Sequence, residues 1–259
     1  MSSTRAPLST KRIGKLRKKL NHRRARYVWL QNVLFKIKSF DQLFVIIMAM
    51  LIGVFAGVIS AGFRTLIDSF RHLLWGKGAL ITVVETAPLY LKIGVPAFGG
   101  ALVAWFVKRY APEAKGHGVP EVMNAVATQN GFIRMRVVIV KAFASAMSIA
   151  SGASVGREGP IVQIGSAFGS TIGQLFQVSL RRMKTLIGCG AAAGIAATFN
   201  APIAGAIFAS EVILGDFSAA AIGPIIIASV FGTVVSRAMY GDFPAFIPPE
   251  YALHSPIEI

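Results

Sequence analysis

Acidic side chains are scarce in this chain. Asp and Glu number 11 among 259 residues, charged residues of both signs make up 15%, and hydrophobic residues make up 54%. An ordinary soluble domain carries about a quarter charged residues, so this balance points away from that class and toward a membrane protein. Cysteine is nearly absent: Cys189 stands alone, which excludes a disulfide framework and any cysteine-built metal site within one chain. The four histidines, at 22, 72, 117 and 254, have no metal-ligand spacing. A phosphate-binding loop is missing too, because Gly152–Arg157 lacks the required length and lysine. No metal, no cofactor and no enzymatic activity are therefore expected. No secretory signal is evident, since the first apolar stretch, near Leu43, follows about 40 polar and basic residues.

Long charge-free runs are abundant. Residues 42 to 63, 159 to 180, 185 to 210 and 217 to 236 contain no Asp, Glu, Lys or Arg, and each can cross or nearly cross about 30 Å of hydrocarbon. The net charge of +16 is unevenly placed. Residues 1–40 hold 12 of the 27 Lys and Arg and none of the acids. Such an arm could bind nucleic acid, but beside an apolar run it fits the cationic flank on the cytoplasmic side of a membrane segment better. The expected organisation is a basic cytoplasmic arm, 1–40, and a membrane domain, 41–259. No nucleic-acid partner is expected.

Helix periodicity and punctuation divide that domain. A first helix is expected from Asp41 through Phe63 and on along Arg64 to Trp75, then a turn over Gly76 to Ala87 and a span from Pro88 to Val107. A short segment from Val119 to about Asn130 follows, with spans near Arg136 to Ser151 and Gly159 to Gln177. Two pieces, 185–199 and 201–214, precede a last span from Ser218 to Tyr240. Lys108, Arg109, Lys115, Arg134, Arg136, Arg181, Arg182 and Lys184 fall where even numbers of crossings return the chain to the cytoplasm. Gly165, Gly169 and Gly173, like Gly190 and Gly194, recur every four residues and read as packing stripes.

The interruptions carry the chemistry. Gly118-Val119-Pro120, Gly159-Pro160 and Asn200-Ala201-Pro202 break apolar stretches into short helices. Exposed backbone survives at membrane depth only where protein or water surrounds it, and transporters use such broken ends to bind ions. In Gly156-Arg157-Glu158-Gly159-Pro160 a carboxylate sits in a glycine-bounded break at a helix start. The free N–H groups and positive dipole end there suit an anion, whose place an ionised Glu158 can take and a protonated one vacate. A plain capping acid is the alternative reading of the same spacing. Gly116-His117-Gly118-Val119-Pro120-Glu121 repeats the pattern. Two helix starts aimed at one place would make a positive pocket without a full cation.

These motifs resemble those of the CLC chloride-transport family. Gly156 to Pro160 matches its GREGP signature, Gly116 to Pro120 is similar to its GSGIP signature, and Ala191 to Gly205 resembles its third conserved stretch. The resemblance covers about residues 40 to 259 and implies an all-α polytopic membrane protein with broken and re-entrant helices. It would be the first half of an inverted-repeat fold, with the second repeat and its pore tyrosine absent from this chain. It implies chloride or a similar small anion as cargo, a homodimer in a plasma or inner membrane, and gating by voltage or protons. Glu158 would be the gate, with anion contacts near His117, Gly118, Val119, Pro120, Gly156, Arg157, Gly159 and Pro160. His117 occupies the place of the family's usual pore serine. Val212 follows Glu211 where proton-coupled members often carry a second acid, and because valine holds no proton this favours a passive channel. A proton-coupled antiporter is the alternative, and an inactive half-protein or membrane scaffold is the alternative of another class.

Overall fold

In the computed structural model, residues 41–76, 78, 80–112 and 116–242 are described. The basic arm, 1–40, lies outside them. The chain divides into two units, 1–44 and 45–259. Of the first only Asp41–Phe44 is described, as the opening of a helix; the architecture and the site belong to the second.

Every element among the described residues is helical. In order they are α1 (Asp41–Trp75), α2 (Leu80–Thr86), α3 (Leu89–Tyr110), α4 (Val119–Thr128), α5 (Arg136–Ala150), α6 (Glu158–Leu175), α7 (Leu180–Phe199), α8 (Pro202–Phe208), a π-helical segment (Ala209–Leu214) and α9 (Ala219–Tyr240). Three helices, Gln42–Trp75, Leu89–Tyr110 and Ala219–Tyr240, are long and apolar enough to cross a membrane. By contrast, the ten residues of α4 rise only about 15 Å, half of what a crossing needs. The broken helices expected from the Gly-Pro punctuation are present.

Small residues hold the bundle together. A Cβ placed on Gly53 or Gly57 of α1 would run into Ala228, Phe231, Gly232 and Val235 of α9. The glycine stripe of α6 does the same against α7: Gly165 meets Gly190, Gly169 meets the Leu186 carbonyl, and Gly173 meets Met183. Van der Waals contact drives helix association in lipid, and missing side chains let the backbones reach it. Both stripes are therefore packing features. Ser60 and Thr198 share a hydrogen bond of 2.8 Å, and Trp75 donates from Nε1 to the Ala150 carbonyl at 2.9 Å, tying distant parts of the chain.

Three boundaries differ from the sequence reading. The turn expected over Gly76 to Ala87 contains α2, a seven-residue helix. The piece expected to begin at 185 begins at Leu180, so Arg181, Arg182 and Lys184 belong to the start of α7 rather than preceding it. The piece expected over 201–214 changes character at Ala209, where the chain widens into a π helix. Adjacent side chains there are separated by less than the 100° of an α-helix, because each turn holds more residues. Glu211 and Val212 still project differently: Glu211 is exposed and Val212 half-buried.

Candidate anion site at two helix starts

Two helix starts meet. Gly118, the residue before α4, has φ +99, a conformation open to glycine at little cost. A Cβ there would collide with the Gly159 carbonyl group, and a Cβ on Gly159 would collide with the His117 carbonyl group. The turn before α4 and the first turn of α6 thus touch backbone to backbone, as the sequence pattern requires if both are to serve one pocket. The first intrahelical bonds run from Val122 N to Gly118 O and from Ile161 N to Arg157 O. Earlier amides of each helix have no place in that ladder, as at any helix start. Pro120 and Pro160 occupy first-turn positions where a missing N–H is harmless.

Beside this junction lies a cavity of about 810 Å³. Gly116, His117, Val119, Gly156, Glu158, Gly159 and Pro160 line it. Val103 and Val107 of α3 and Ala144 of α5 line it as well. Glu158 is the first residue of α6, is exposed, and folds its carboxylate over Gly156, where any side chain would meet it. The placement puts a negative charge at the positive end of a helix, worth about 0.3–1 kcal/mol at an exposed position. The free amides of the helix start could hold a chloride if the carboxylate moved away.

The expected residues do not all share this cavity. Gly118 is buried beneath it, and its N–H donates to Glu121 Oε2 at 2.7 Å, so that amide is already committed. Pro120 does not line the cavity. Arg157, also expected near the anion, does not line this cavity. Its guanidinium lies 5.6 Å from the Phe199 ring centroid, in a separate cleft with Arg64 and Tyr240. The reason is local: consecutive residues at a helix start point about 100° apart, so Arg157 and Glu158 cannot both face one wall. Glu211 and Val212 are also absent from the cavity wall.

Two residues of the site carry no role in the sequence reading. Lys141, on α5, is 4% exposed, lines the cavity and donates from Nζ to the Gly116 carbonyl at 2.8 Å. A lysine inside the apolar span Arg136 to Ser151 is itself a signal, because intramembrane charge tends to be functional. Glu121 caps α4 and lays its other carboxylate oxygen against Gly116. Its position three residues after Gly118 is the spacing of a capping acid. Between them, Lys141 and Glu121 fix the carbonyl and amide ends of the Gly116–Gly118 turn.

A profile described as voltage gated chloride channel matches residues 99–258. A ClcB-like protein of Ralstonia nicotianae is 32% identical over 217 residues, 81% of this chain and 50% of the relative. The H(+)/Cl(−) exchange transporter ClcA of Vibrio vulnificus is 35% identical over 213 residues, 80% of this chain and 45% of the relative. A solved structure of a slow cyanobacterial Cl−/H+ antiporter superposes with a TM-score of 0.66 at 26% identity, covering 77% of this chain and 48% of its own. The chain spans about half the length of the relatives it matches.

Proposed function

The chain belongs to the voltage gated chloride channel family, and from that premise we propose that it forms half of the pathway of a chloride/proton exchanger gated by Glu158. The observation that carries the reading is the backbone junction of Gly118 and Gly159 beside a large cavity, with the Glu158 carboxylate folded over Gly156 at its rim. Such a site presents dipole ends and amides to an anion, while the Lys141 ammonium in the cavity wall is engaged by the Gly116 carbonyl, which lets the ion leave as well as arrive. The ionised carboxylate competes with chloride for the same donors. Protonation removes its charge, frees the site and gives a reason for chloride and proton movements to be linked.

Exchange replaces the passive channel favoured from Val212. Matched relatives are named as H(+)/Cl(−) exchangers and the matched structure as a Cl−/H+ antiporter, and an acid at position 212 is one route for protons among several. A passive channel is favoured by Val212 and by the name of the Ralstonia nicotianae relative, a chloride channel protein. The complete protein would be a homodimer, multi-pass in a bacterial inner membrane, and the basic residues before Asp41 support a cytoplasmic N-terminus.

The deciding experiment places the full-length protein in liposomes under a chloride gradient with no proton gradient and follows internal pH. Exchange drives protons uphill in fixed proportion to chloride. Dissipation of the chloride gradient with no proton movement overturns exchange in favour of a channel. A Val212→Glu variant with a higher proton-to-chloride ratio would assign the proton route to that position.

A further inference from the structure

A second cavity, of about 420 Å³, is lined by α4 and the segment that follows it, with Val137 of α5 and Gln163 of α6. Its wall includes Glu121, Asn124, Gln129, Arg134 and Gln163. Gln163 is 3% exposed, and its Oε1 accepts no hydrogen bond from any described residue. Leaving an amide oxygen buried and unpaired costs about 1–3 kcal/mol. Water removes that cost wherever a polar cavity offers room and two to four partners. The volume is far above the roughly 30 Å³ that one water occupies in the liquid, and the lining mixes these five polar side chains with Val122, Ala125, Phe132, Ile133 and Val137.

Gln163 also stands in a telling place. It follows Glu158 by five residues on α6, a rise of about 7.5 Å. A Cβ on Gly118 would come within 3.3 Å of the Gln163 Cβ, so the glutamine packs under the junction itself. Glu121 belongs to the wall of this second cavity, while one of its carboxylate oxygens lies against Gly116, which lines the cavity holding Glu158. Glycine at 116 leaves no side chain between that oxygen and the larger space.

We propose that the smaller cavity is a water-holding proton vestibule, in which Gln163 Oε1 and the Glu121 carboxylate order a water chain that feeds protons past Gly116 to Glu158. The proposal rests on the exchange reading and supplies a route that needs no acid at 212. A hydronium at the mouth passes one proton into the chain, and Glu121 takes a proton on one oxygen. Glu121 then releases a proton to water on the Gly116 side and ends ionised as it began, while Glu158 receives the proton and becomes neutral. Charged and titratable groups around Glu121 set how readily this happens. They are Lys141 from α5, His117 from the preceding turn, Glu158 from α6, Arg134 at the cavity wall, and Glu211 on the exposed side of the π segment packed against α4. The ammonium of Lys141 holds the Gly116 carbonyl and so keeps the turn between the two cavities in place.

The test uses the full-length protein in liposomes and measures chloride and proton fluxes together. Gln163→Leu, close in size but without a hydrogen-bond acceptor, should keep chloride flux within about twofold of wild type. At 1.4 kcal/mol per tenfold change, loss of one water-ordering acceptor should lower the proton-to-chloride ratio about fivefold to tenfold. An unchanged ratio overturns the vestibule and leaves the exchange reading standing. Absence of chloride-coupled proton movement in the wild type overturns both. Should Gln163→Leu fail to fold, Asn124→Cys gives an independent measure, since the natural Cys189 is fully buried. Rapid reaction of that cysteine with a small, membrane-impermeant thiol reagent supports a hydrated vestibule, and an inert cysteine overturns it.

Discussion

Gly159→Ala isolates the meeting of the two helix starts, because opposing effects can be weighed there. Helix propensity favours alanine over glycine inside a helix by about 0.5–1 kcal/mol. No positive φ applies at 159, so the backbone itself accepts the change. Against this, the new Cβ would lie 2.9 Å from the His117 carbonyl carbon and closer still to its oxygen. Carbon atoms rest about 3.5–4.0 Å apart, so the turn and the helix must part by at least about 0.6–1.1 Å, and further to clear the oxygen. Rigid backbone stands on both sides, and overpacking of this kind costs about 1–3 kcal/mol, which outweighs the propensity gain. Separation also pulls amides of one helix away from an anion held by the other. Loss of one hydrogen bond to a charged partner, about 1.5–3 kcal/mol, should weaken chloride binding about 10-fold to 150-fold. Calorimetric titration of the full-length protein with chloride reads that number, and a thermal melt shows that the variant is folded. A folded Gly159→Ala protein with chloride affinity within twofold of wild type would refute the shared site.

Gly156→Ala should act in the opposite sense, since its Cβ meets only the movable end of Glu158. Chloride flux at neutral pH should rise severalfold as the carboxylate is displaced, and a stopped-flow flux assay checks it. Lys141→Met removes the donor to the Gly116 carbonyl at a buried position. It should lower stability by about 1–3 kcal/mol in denaturant titration and weaken chloride binding, because the turn loses one of its two fixings. His117→Ser leaves the backbone junction in place, so any change should fall on selectivity among chloride, bromide and nitrate, measured as permeability ratios.

Much of the site is legible in the sequence because its parts are backbone features announced by residue type. Gly118 and Gly159 mark a close approach, Pro120 and Pro160 mark first turns, and Glu158 is an acid inside an apolar stretch. The features that residue order does not reveal depend on direction or on local competition. Which wall Arg157 faces follows from a rotation of about 100° between neighbours, and nothing in the residue order sets its starting phase. Helix α2 is hidden because Ile81, Thr82, Val83 and Val84 are β-branched and disfavour helix, after Gly76 and Gly78 and before Pro88, which read as a turn. The start of α7 is obscured because Arg181, Arg182 and Lys184 suggest a loop, although Ser179 offers a capping signal. The π segment breaks the assumption of a 3.6-residue turn around Glu211. Gln163 needs the packed structure, since burial alone makes an unpaired amide oxygen informative, whereas Lys141 stands in the sequence as a charge inside an apolar span.

Glu158 is, in this mechanism, the competitor that chloride must displace. Chloride flux through the full-length protein in liposomes, measured across the acidic to neutral range for wild type and Glu158→Gln, tests that role. Wild-type flux should rise as pH falls, because protonation neutralises the carboxylate, while Glu158→Gln should give flux that is independent of pH and no coupled proton movement. A Glu158→Gln protein that keeps the pH dependence of the wild type would contradict the assignment of Glu158 as the gate.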